Sequence, residues 1–347
     1  MRGGTRTHRL RYNLFNMPGA VATIKARDAA SFRRRLLRWF HKHQRKLPWR
    51  GESDPYRILV SEIMLQQTRV AVVADRYRKF IAQFPTAERL ARARERTVLA
   101  AWSGLGYYRR ARALHLAAKE IVSSGKFPDS VAELMALPGV GRYTAAAVAS
   151  IAFGEPVAVV DGNVKRVLQR VFADCAAPAV SVAEERYWDL AAQLLDKRHA
   201  GDFNQAMMEL GALVCLPGQP LCDTCPVAAM CVARGPVARK KRDARRKAIL
   251  RYALVRRNGS VLLQERPLQS SLMPGMWELP ALAAAQARYL QPLLKLRHSI
   301  TTTDYTVFVH AATGKNTENG RWVPLHSARR LPLTGLARKI LERITDV

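Results

Sequence analysis

The sequence has 347 residues, enough for two or more domains at about 150 residues each. Lys and Arg number 57 against 27 Asp and Glu, a formal net charge of +30 at pH 7, while 48% of the residues are hydrophobic, so the chain can fold around a core and still attract a polyanion. No stretch approaches the ~18 consecutive apolar residues of a membrane-spanning helix, which excludes a helical membrane protein. The charge makes nucleic acid the expected partner, with a solvated charged face or an anionic membrane surface as the alternative.

The N-terminal residues are basic and do not resemble a secretory signal. Residues 1–25 have no continuous apolar core followed by a small-residue cleavage site. We expect a disordered basic tail over residues 1–28, with Met17 as an alternative start to Met1. Helical periodicity follows and predicts short helices joined by tight turns over residues 29–234.

A helix with a carboxylate in apolar surroundings is predicted after residue 54. Asp54 and Pro55 suit the N-cap and the first helical position, so Glu62 lies about two turns into the helix. Ile58 and Leu59 surround it at helical spacing. Removing a carboxylate from water favours its protonated form, which suits a general acid. A lone helical glutamate is, however, more often a surface residue.

Residues 137–145, Leu-Pro-Gly-Val-Gly-Arg-Tyr-Thr-Ala, indicate a helix-hairpin-helix motif. They join a predicted helix at 131–136 to a second predicted helix at 144–152. Gly139 and Gly141 let the backbone approach a partner closely, and the amides that open the second helix can bind a DNA phosphate. The alternative is an ordinary tight turn, because a Gly-x-Gly pattern is weak by itself.

Asp161 follows an apolar run at 157–160 and precedes Gly162 at the start of another predicted helix. This position suits an N-cap, which is the structural alternative to catalysis. Together with Glu62, however, it forms a pair of carboxylates. One acid that protonates a leaving group and one carboxylate that stabilises an oxocarbenium-like centre are what cleavage of a glycosidic bond requires.

Four cysteines within one short stretch indicate a metal site. Their spacing is Cys215-x6-Cys222-x2-Cys225-x5-Cys231, and the chain has one more cysteine, Cys175. Thiolates this close can bind one tetrahedral zinc ion or one four-thiolate iron–sulfur cluster. The spacing leaves both open, including a purely structural zinc knuckle.

Composition changes after the cysteines. Gly-Pro and a run of Lys and Arg predict a basic linker at 235–248. Residues 249–347 then read as a mixed α and β domain. The predicted strands are 249–255, 261–264 and 305–310, with a hairpin turn at 257–259.

Seven separated segments resemble the MutY family of adenine DNA glycosylases, in the helix-hairpin-helix superfamily that includes endonuclease III. They are residues 47–50, 61–68, 104–108, 137–144, 160–166, 203–208 and the four cysteines. The resemblance implies a mainly α helix-hairpin-helix glycosylase domain with a [4Fe-4S] cluster in the loop 215–231. Residues 275–280, Gly-Met-Trp-Glu-Leu-Pro, resemble the family's C-terminal domain and imply that a smaller α+β Nudix-like domain follows. It implies base excision repair, the removal of adenine mispaired with 8-oxoguanine or guanine in double-stranded DNA by a monomer. We expect a cytoplasmic, nucleoid-associated protein.

The resemblance also implies roles for single residues near the acids. Glu62 would protonate the adenine ring as its bond to the sugar breaks, and Asp161 would stabilise the cation and any covalent sugar intermediate. Tyr143 lies where lyase-competent relatives have a lysine, and a phenol cannot form their Schiff base, so little or no AP lyase activity is expected. Asn163 and Arg50 would arrange the carboxylates and the flipped adenine.

Further residues resemble the family's DNA-probing groups. Gln66, Gln67 and Tyr107 would enter or wedge the base stack while a base is extruded. The C-terminal domain lacks the acids of a working Nudix hydrolase, so pyrophosphate hydrolysis is not expected. By the same resemblance, this domain would instead read the lesion strand. Where the family has a Phe-Ser-His loop that recognises 8-oxoguanine, this chain has Ile-Thr-Thr, so only the hydroxyls of Thr301 and Thr302 are left to form hydrogen bonds.

Three other functions compete with this one. A thymine glycosylase for G·T mismatches shares the fold and the tyrosine, although Glu62 and the C-terminal domain favour adenine. An endonuclease III-like lyase would need lysine at position 143. A non-enzymatic iron–sulfur DNA-binding protein would bind a duplex without releasing a base.

Overall fold

The computed structural model describes residues 23–172, 180–236, 244–312, 320–328 and 330–344. The first 22 residues, with the alternative start at Met17, lie outside the described residues, as do Cys175 and most of the basic run in the predicted linker. The described helices are α1 (Ala26–His43), α2 (Pro55–Leu65), α3 (Val70–Gln83), α4 (Ala87–Ala91), α5 (Glu95–Ala101), α6 (Arg109–Ser124), α7 (Val131–Ala136), α8 (Arg142–Ala152), α9 (Gly162–Val171), α10 (Val180–Leu194), α11 (Ala200–Leu213), α12 (Ala284–Ala287), α13 (Leu325–Ala328) and α14 (Gly335–Ile344). The strands are β1 (Arg246–Leu254), β2 (Arg256–Arg257), β3 (Ser260–Glu265), β4 (Trp277–Glu278), β5 (Pro292–Ile300), β6 (Thr303–Ala311) and β7 (Gly320–Pro324).

By its contacts the chain divides into two compact units. The first unit is Met1–Ile63 with Ser123–Lys240, and the second is Met64–Val122 with Lys241–Val347. Helices α3 to α6 therefore belong to the same unit as the C-terminal strands, although they lie inside the predicted glycosylase domain 29–234. Periodicity along the chain cannot reveal this grouping, because it depends on contacts between distant segments. The predicted linear borders stay predictions.

The core of the first unit is helical. Phe32, Leu36 and Phe40 recur every fourth residue of α1 and are at most 1% exposed, so they form one buried stripe. They belong to the same hydrophobic cluster as residues of α9 and α11. Helix α11 comes close to α8 because Gly201 has no side chain, and a Cβ there would lie 2.7 Å from the carbonyl oxygen of Ser150.

The predicted helix pair around residue 139 is present. Helix α7 covers 131–136 as predicted, but α8 begins at Arg142, two residues before the predicted start. The reason is local: Gly141 has the extended backbone of an N-cap, so the residue after it is already helical. The side chains of Leu137 and Val140 are buried in the connection.

Two small sheets and α14 form the C-terminal part of the second unit. In one sheet β6 lies between β1, which is parallel to it, and β5, which is antiparallel; in the other, β3 pairs with β2, β4 and β7. The predicted mixed α and β character is confirmed. The predicted hairpin turn lies between β2 and β3, where Asn258 and Gly259 both have positive φ, 45° and 69°, as is typical of a type I′ turn.

Among the described residues, no helix is long and apolar enough to cross a membrane.

Candidate functional site

Glu62 is a buried acid on a helix whose start is fixed locally. Asp54 accepts a hydrogen bond from the backbone N–H of Tyr56 at 2.9 Å, as predicted for the cap of α2. Two turns later Glu62 is only 5% exposed, beside the buried Ile58 and Leu59. The surface alternative for this glutamate is therefore wrong.

The pKa of Glu62 is raised to about 7, mainly by burial and also by the negative charge of Asp161. A hydrogen bond from Tyr143 and the positive charge of Arg50 act in the opposite direction. At neutral pH a large share of the Glu62 carboxyl groups thus carries a proton. This is the state that a general acid needs.

Tyr143, the second residue of α8, contacts the acid directly. Its hydroxyl donates to Oε2 of Glu62 at 2.8 Å and lies 3.1 Å from the sulfur of Met208. Burial and the charges of Glu62 and Asp161 raise the pKa of Tyr143 well above its ordinary value. The phenol therefore stays protonated and acts as a hydrogen-bond donor.

Asp161 is held by donors on both carboxylate oxygens. Oδ1 accepts from the backbone N–H of Asn163 at 2.9 Å and of Val164 at 2.7 Å, which caps α9, and Oδ2 accepts from Nδ2 of Asn163 at 2.8 Å. The predicted N-cap is thus present, and it fixes the position of the second carboxylate. We call Glu62 and Asp161 the acid pair.

The extended segment that leads into Asp161 is pinned by a buried asparagine of α11. Asn204 accepts from the backbone N–H of Val159 at 3.2 Å and donates to the carbonyl oxygen of Val157 at 2.8 Å. Its side chain also donates to Ser150 at 2.9 Å. Asn204 thus satisfies backbone groups that have no sheet partner and holds the segment that precedes α9.

A chain of hydrogen bonds joins Asp161 to the cysteine loop. Arg166 donates to Oδ1 of Asn163 at 2.8 Å and to the carbonyl oxygen of Cys215 at 2.7 Å. It also donates to the carbonyl oxygen of Gly211 at 2.7 Å. A Cβ at Gly211 would lie 2.6 Å from Cβ of Asn163, so only glycine permits this approach.

Arg50 lies in a buried charged network that the sequence did not predict. It donates to Gln205 and, at 3.2 Å, to Oε2 of Glu209, and its guanidinium lies 5.1 Å from the ring centre of Phe40. Glu209 is 2% exposed and also accepts three hydrogen bonds from Arg45. The available sequence signal was the helical spacing of positions 205 and 209, which puts both on one face of α11.

The four cysteines line a single cavity. The rest of its wall is largely apolar and includes Val167, Leu210, Val214 and Val227. Arg170 donates to the sulfur of Cys215 at 3.2 Å, and the backbone N–H of Gly235 donates to that of Cys222 at 3.4 Å. In the described part of the chain, no three His, Cys, Asp or Glu side chains are grouped closely enough to hold a single metal ion.

This wall suits a cluster ligated by thiolates. N–H donors to sulfur and an apolar surround are features by which proteins stabilise iron–sulfur clusters. The donor set contains sulfur only, so it matches a soft metal centre and not a hard cation.

The predicted DNA-probing residues lie on two loops of the second unit, residues 66–68 and 104–107, which we call the loop pair. Gln67 and Tyr107 have φ values of 55° and 47°, in a region of backbone conformation that residues other than glycine rarely adopt. Such conformations cost about 1–3 kcal/mol each and tend to occur at functional sites. The side chain of Tyr107 is 41% exposed.

The remaining predicted contact residues are on exposed turns. Gly139 and Gly141 are exposed between α7 and α8, and Gly139 has φ of 77°. Thr301 and Thr302 form the two-residue turn between β5 and β6. Arg245 donates to the carbonyl oxygen of Thr301 at 2.7 Å. Their contacts with DNA stay predictions.

Comparison with known proteins agrees with this arrangement. The family model described as "HhH-GPD superfamily base excision DNA repair protein" matches residues 60–193, a range that includes the acid pair, the loop pair and the helix-hairpin-helix. A solved structure of a thermostable thymine-DNA glycosylase is 30% identical with a TM-score of 0.54, and the match covers 59% of this chain and 96% of that one. The chain belongs to the HhH-GPD superfamily.

Two further proteins extend the comparison. The adenine DNA glycosylase of Rattus norvegicus is 47% identical over 228 residues, which are 62% of this chain and 44% of the rat protein. The chain thus spans less than half the length of this relative. Endonuclease III, solved as a non-covalent complex with DNA, is 23% identical with a TM-score of 0.51, over 60% of this chain and 96% of that one, and this likeness shows the helical fold alone.

Proposed function

We propose that this protein is an adenine DNA glycosylase of base excision repair. It hydrolyses the N-glycosidic bond of adenine mispaired with 8-oxoguanine or guanine in double-stranded DNA, and it acts as a monomer. The observation that carries the proposal is the buried Glu62, whose carboxyl has a pKa of about 7. A protonated acid of this kind matches a leaving group that can accept a proton.

The reaction follows from the two environments of the acid pair. Glu62 delivers its proton to a ring nitrogen of the flipped adenine, which makes the base a better leaving group. The bonding electron pair leaves with the base, and positive charge develops on the sugar. Asp161, held by Asn163 on both oxygens, faces this charge as a fixed carboxylate. Water then adds to the anomeric carbon, and the proton that it loses returns to the Glu62 carboxylate.

Two observations support adenine over thymine. Adenine has basic ring nitrogens for Glu62 to protonate, whereas the ring nitrogens of thymine are not basic. The rat adenine DNA glycosylase is also 47% identical to this chain, against 30% for the thymine-DNA glycosylase. Tyr143 offers no amine for a Schiff base with the opened sugar, so the protein would lack AP lyase activity.

The four cysteines would hold a [4Fe-4S] cluster, for which the shared cavity and the donors to sulfur are the support. When bound, the cluster would cross-link the loop 215–231 through four iron–thiolate bonds. Exposed Gly139 and Gly141 would bind a DNA phosphate through backbone amides. The C-terminal part would act as a Nudix-like reader of the lesion strand through Thr301 and Thr302.

Base release from three duplexes tests the function. The full-length protein is incubated with duplexes that contain A opposite 8-oxoguanine, A opposite G, and T opposite G. We expect abasic sites in the adenine strand of the first two, with strand cleavage only after treatment with alkali. Release of thymine in preference to adenine would favour the thymine glycosylase, and binding without release would favour a non-enzymatic DNA-binding protein.

A further inference from the structure

A buried arginine in the second unit connects the two loops of the loop pair. Arg110 lies in the first turn of α6 and is 7% exposed. Its guanidinium lies 5.6 Å from the ring centre of Tyr107 and 5.5 Å from that of Trp102. A charged side chain is rarely buried to this degree unless its hydrogen bonds are satisfied.

Those hydrogen bonds go to both loops at once. One terminal nitrogen, Nη1, donates to the carbonyl oxygens of Met64 and Gln66 at 2.9 and 2.5 Å. The other, Nη2, donates to three acceptors, the hydroxyl of Thr68 at 3.0 Å and the carbonyl oxygens of Leu105 and Gly106 at 3.0 and 3.2 Å. The planar guanidinium, with donors on two arms, is the side chain suited to span two loops in this way.

Two of these bonds act on the peptide groups that precede the strained residues. The carbonyl of Gln66 belongs to the peptide plane that sets φ of Gln67, and the carbonyl of Gly106 belongs to the plane that sets φ of Tyr107. Both φ values are positive, 55° and 47°. Unfavourable backbone conformations persist only where the surroundings determine them strongly. The Gly106 carbonyl also accepts a hydrogen bond from Nε1 of Trp102 at 3.2 Å. Arg110, however, donates to both peptide groups, through the carbonyls of Gln66 and Gly106.

We propose that Arg110 is a positioning residue that holds Gln67 and Tyr107 in the conformations with which they enter the DNA base stack. This inference rests on the proposed function. If the two residues were free to relax, each binding event would have to order them again, which weakens base extrusion. Burial lowers the pKa of Arg110 to about 10, so it remains protonated at neutral pH and keeps its donors.

A substitution of Arg110 by lysine separates this role from a general structural one. Lysine keeps the positive charge but has a single donor group that cannot reach both loops. Arg109→Lys, at the exposed neighbouring position, is the matched control. Single-turnover adenine release is measured on two duplexes, one with A opposite 8-oxoguanine and one with the same adenine opposite an abasic site, where less pairing and stacking must be broken.

We expect Arg110→Lys to slow release from the paired duplex about tenfold or more, and release opposite the abasic site about threefold at most. Base extrusion is measured separately by the fluorescence of 2-aminopurine in place of adenine, in a Glu62→Gln background that leaves the base attached. The fluorescence increase on binding should be lost in the Arg110→Lys protein. An equal loss on both duplexes, or an unchanged rate on the paired one, would overturn the proposal.

Thr68→Val is a second variant that tests the proposal if Arg110→Lys does not fold. It removes one acceptor of Arg110, together with the hydroxyl's own longer contacts to the carbonyl oxygens of Gln66 and Leu105 at 3.4 and 3.3 Å, and leaves the arginine in place. The same preference for the unpaired duplex should therefore appear at smaller size, about threefold. A folded Thr68→Val protein without this preference would then contradict the role of Arg110. The unmodified protein in the same assay tests the proposed function, which would be rejected if neither duplex released adenine. If the unmodified protein and the Arg110→Lys variant released adenine at the same rates, only the positioning role would be rejected.

Discussion

The acid pair of the first unit and the loop pair of the second unit are held in place by different means. Glu62 and Asp161 are fixed through their side chains, by Tyr143 and by the donors of Asn163. Gln67 and Tyr107 are exposed side chains on a backbone of unfavourable geometry, and Arg110 fixes that backbone. The difference matches the proposed tasks, because proton transfer needs atoms at hydrogen-bond distance, whereas base extrusion needs a stiff wedge at the surface.

Removal of the acid should produce the largest effect on adenine release. It should also distinguish the role of the acid pair in bond cleavage from the role of the loop pair in DNA binding. Glu62→Gln keeps the shape of the side chain but cannot deliver a proton, so adenine release should fall about 10²- to 10⁴-fold. Duplex affinity should stay within about twofold, because the loop pair is unaltered. Single-turnover release and equilibrium binding measure the two effects, with the exposed Glu120→Gln as the control. Undiminished release would show that Glu62 is not the acid.

Gly211→Ala tests whether packing behind the acid pair matters as much as its hydrogen bonds. The new Cβ would lie 2.6 Å from Cβ of Asn163, so α9 or α11 must shift and disturb the cap at Asp161. Overpacking of this kind costs about 1–3 kcal/mol in the free energy of unfolding. We expect release to slow by about tenfold to a hundredfold.

Thermal unfolding and single-turnover rates measure these effects. Gly335→Ala is the matched control, because no atom lies within 4 Å of a Cβ at that position. Equal behaviour of the two variants would mean that the contact between α11 and Asn163 does not position Asp161.

The pH dependence of adenine release tests how burial and Tyr143 set the pKa of Glu62. Since burial raises the pKa of Glu62 to about 7, the acid is protonated below that pH and release should decline as pH rises through it. Tyr143→Phe removes a hydrogen bond that favours the carboxylate, so the pKa of Glu62 should rise and the decline should move to higher pH. Rates from pH 5 to 9 at saturating protein check this. A decline that moves to lower pH in Tyr143→Phe would mean that the phenol does not stabilise the ionised acid.

Local patterns in the sequence predicted much of this site. Asp54 as the cap of α2, Asp161 as the cap of α9 and Asn258 with Gly259 as a hairpin turn depend on residues within a few positions of each other, and all three are confirmed. Helical spacing also predicted the apolar neighbours of Glu62, although it left a surface position open for the glutamate itself. These features are accessible because short-range geometry determines them.

The partners of the predicted residues could not be found in the same way. Arg45 and Glu209 are 164 positions apart, and no periodicity connects them. In the sequence Arg110 is one of 57 Lys and Arg residues, and four of its five acceptors described above are backbone carbonyls, which carry no residue identity. The need for glycine at position 211 likewise depends on how closely α11 approaches Asn163.

The hydroxyls of the β5–β6 turn should contribute the smallest effect. Thr301 and Thr302 are exposed, and a single hydrogen bond to the lesion would contribute about 0.5–1.5 kcal/mol. Thr302→Ala should therefore reduce the preference for A opposite 8-oxoguanine over A opposite G by about twofold to tenfold. The ratio of single-turnover rates on the two duplexes measures this, with Ser123→Ala at the exposed end of α6 as the control. An unchanged ratio would remove the Thr302 hydroxyl from lesion recognition and favour selectivity through the loop pair, whose side chains are also predicted to probe the DNA.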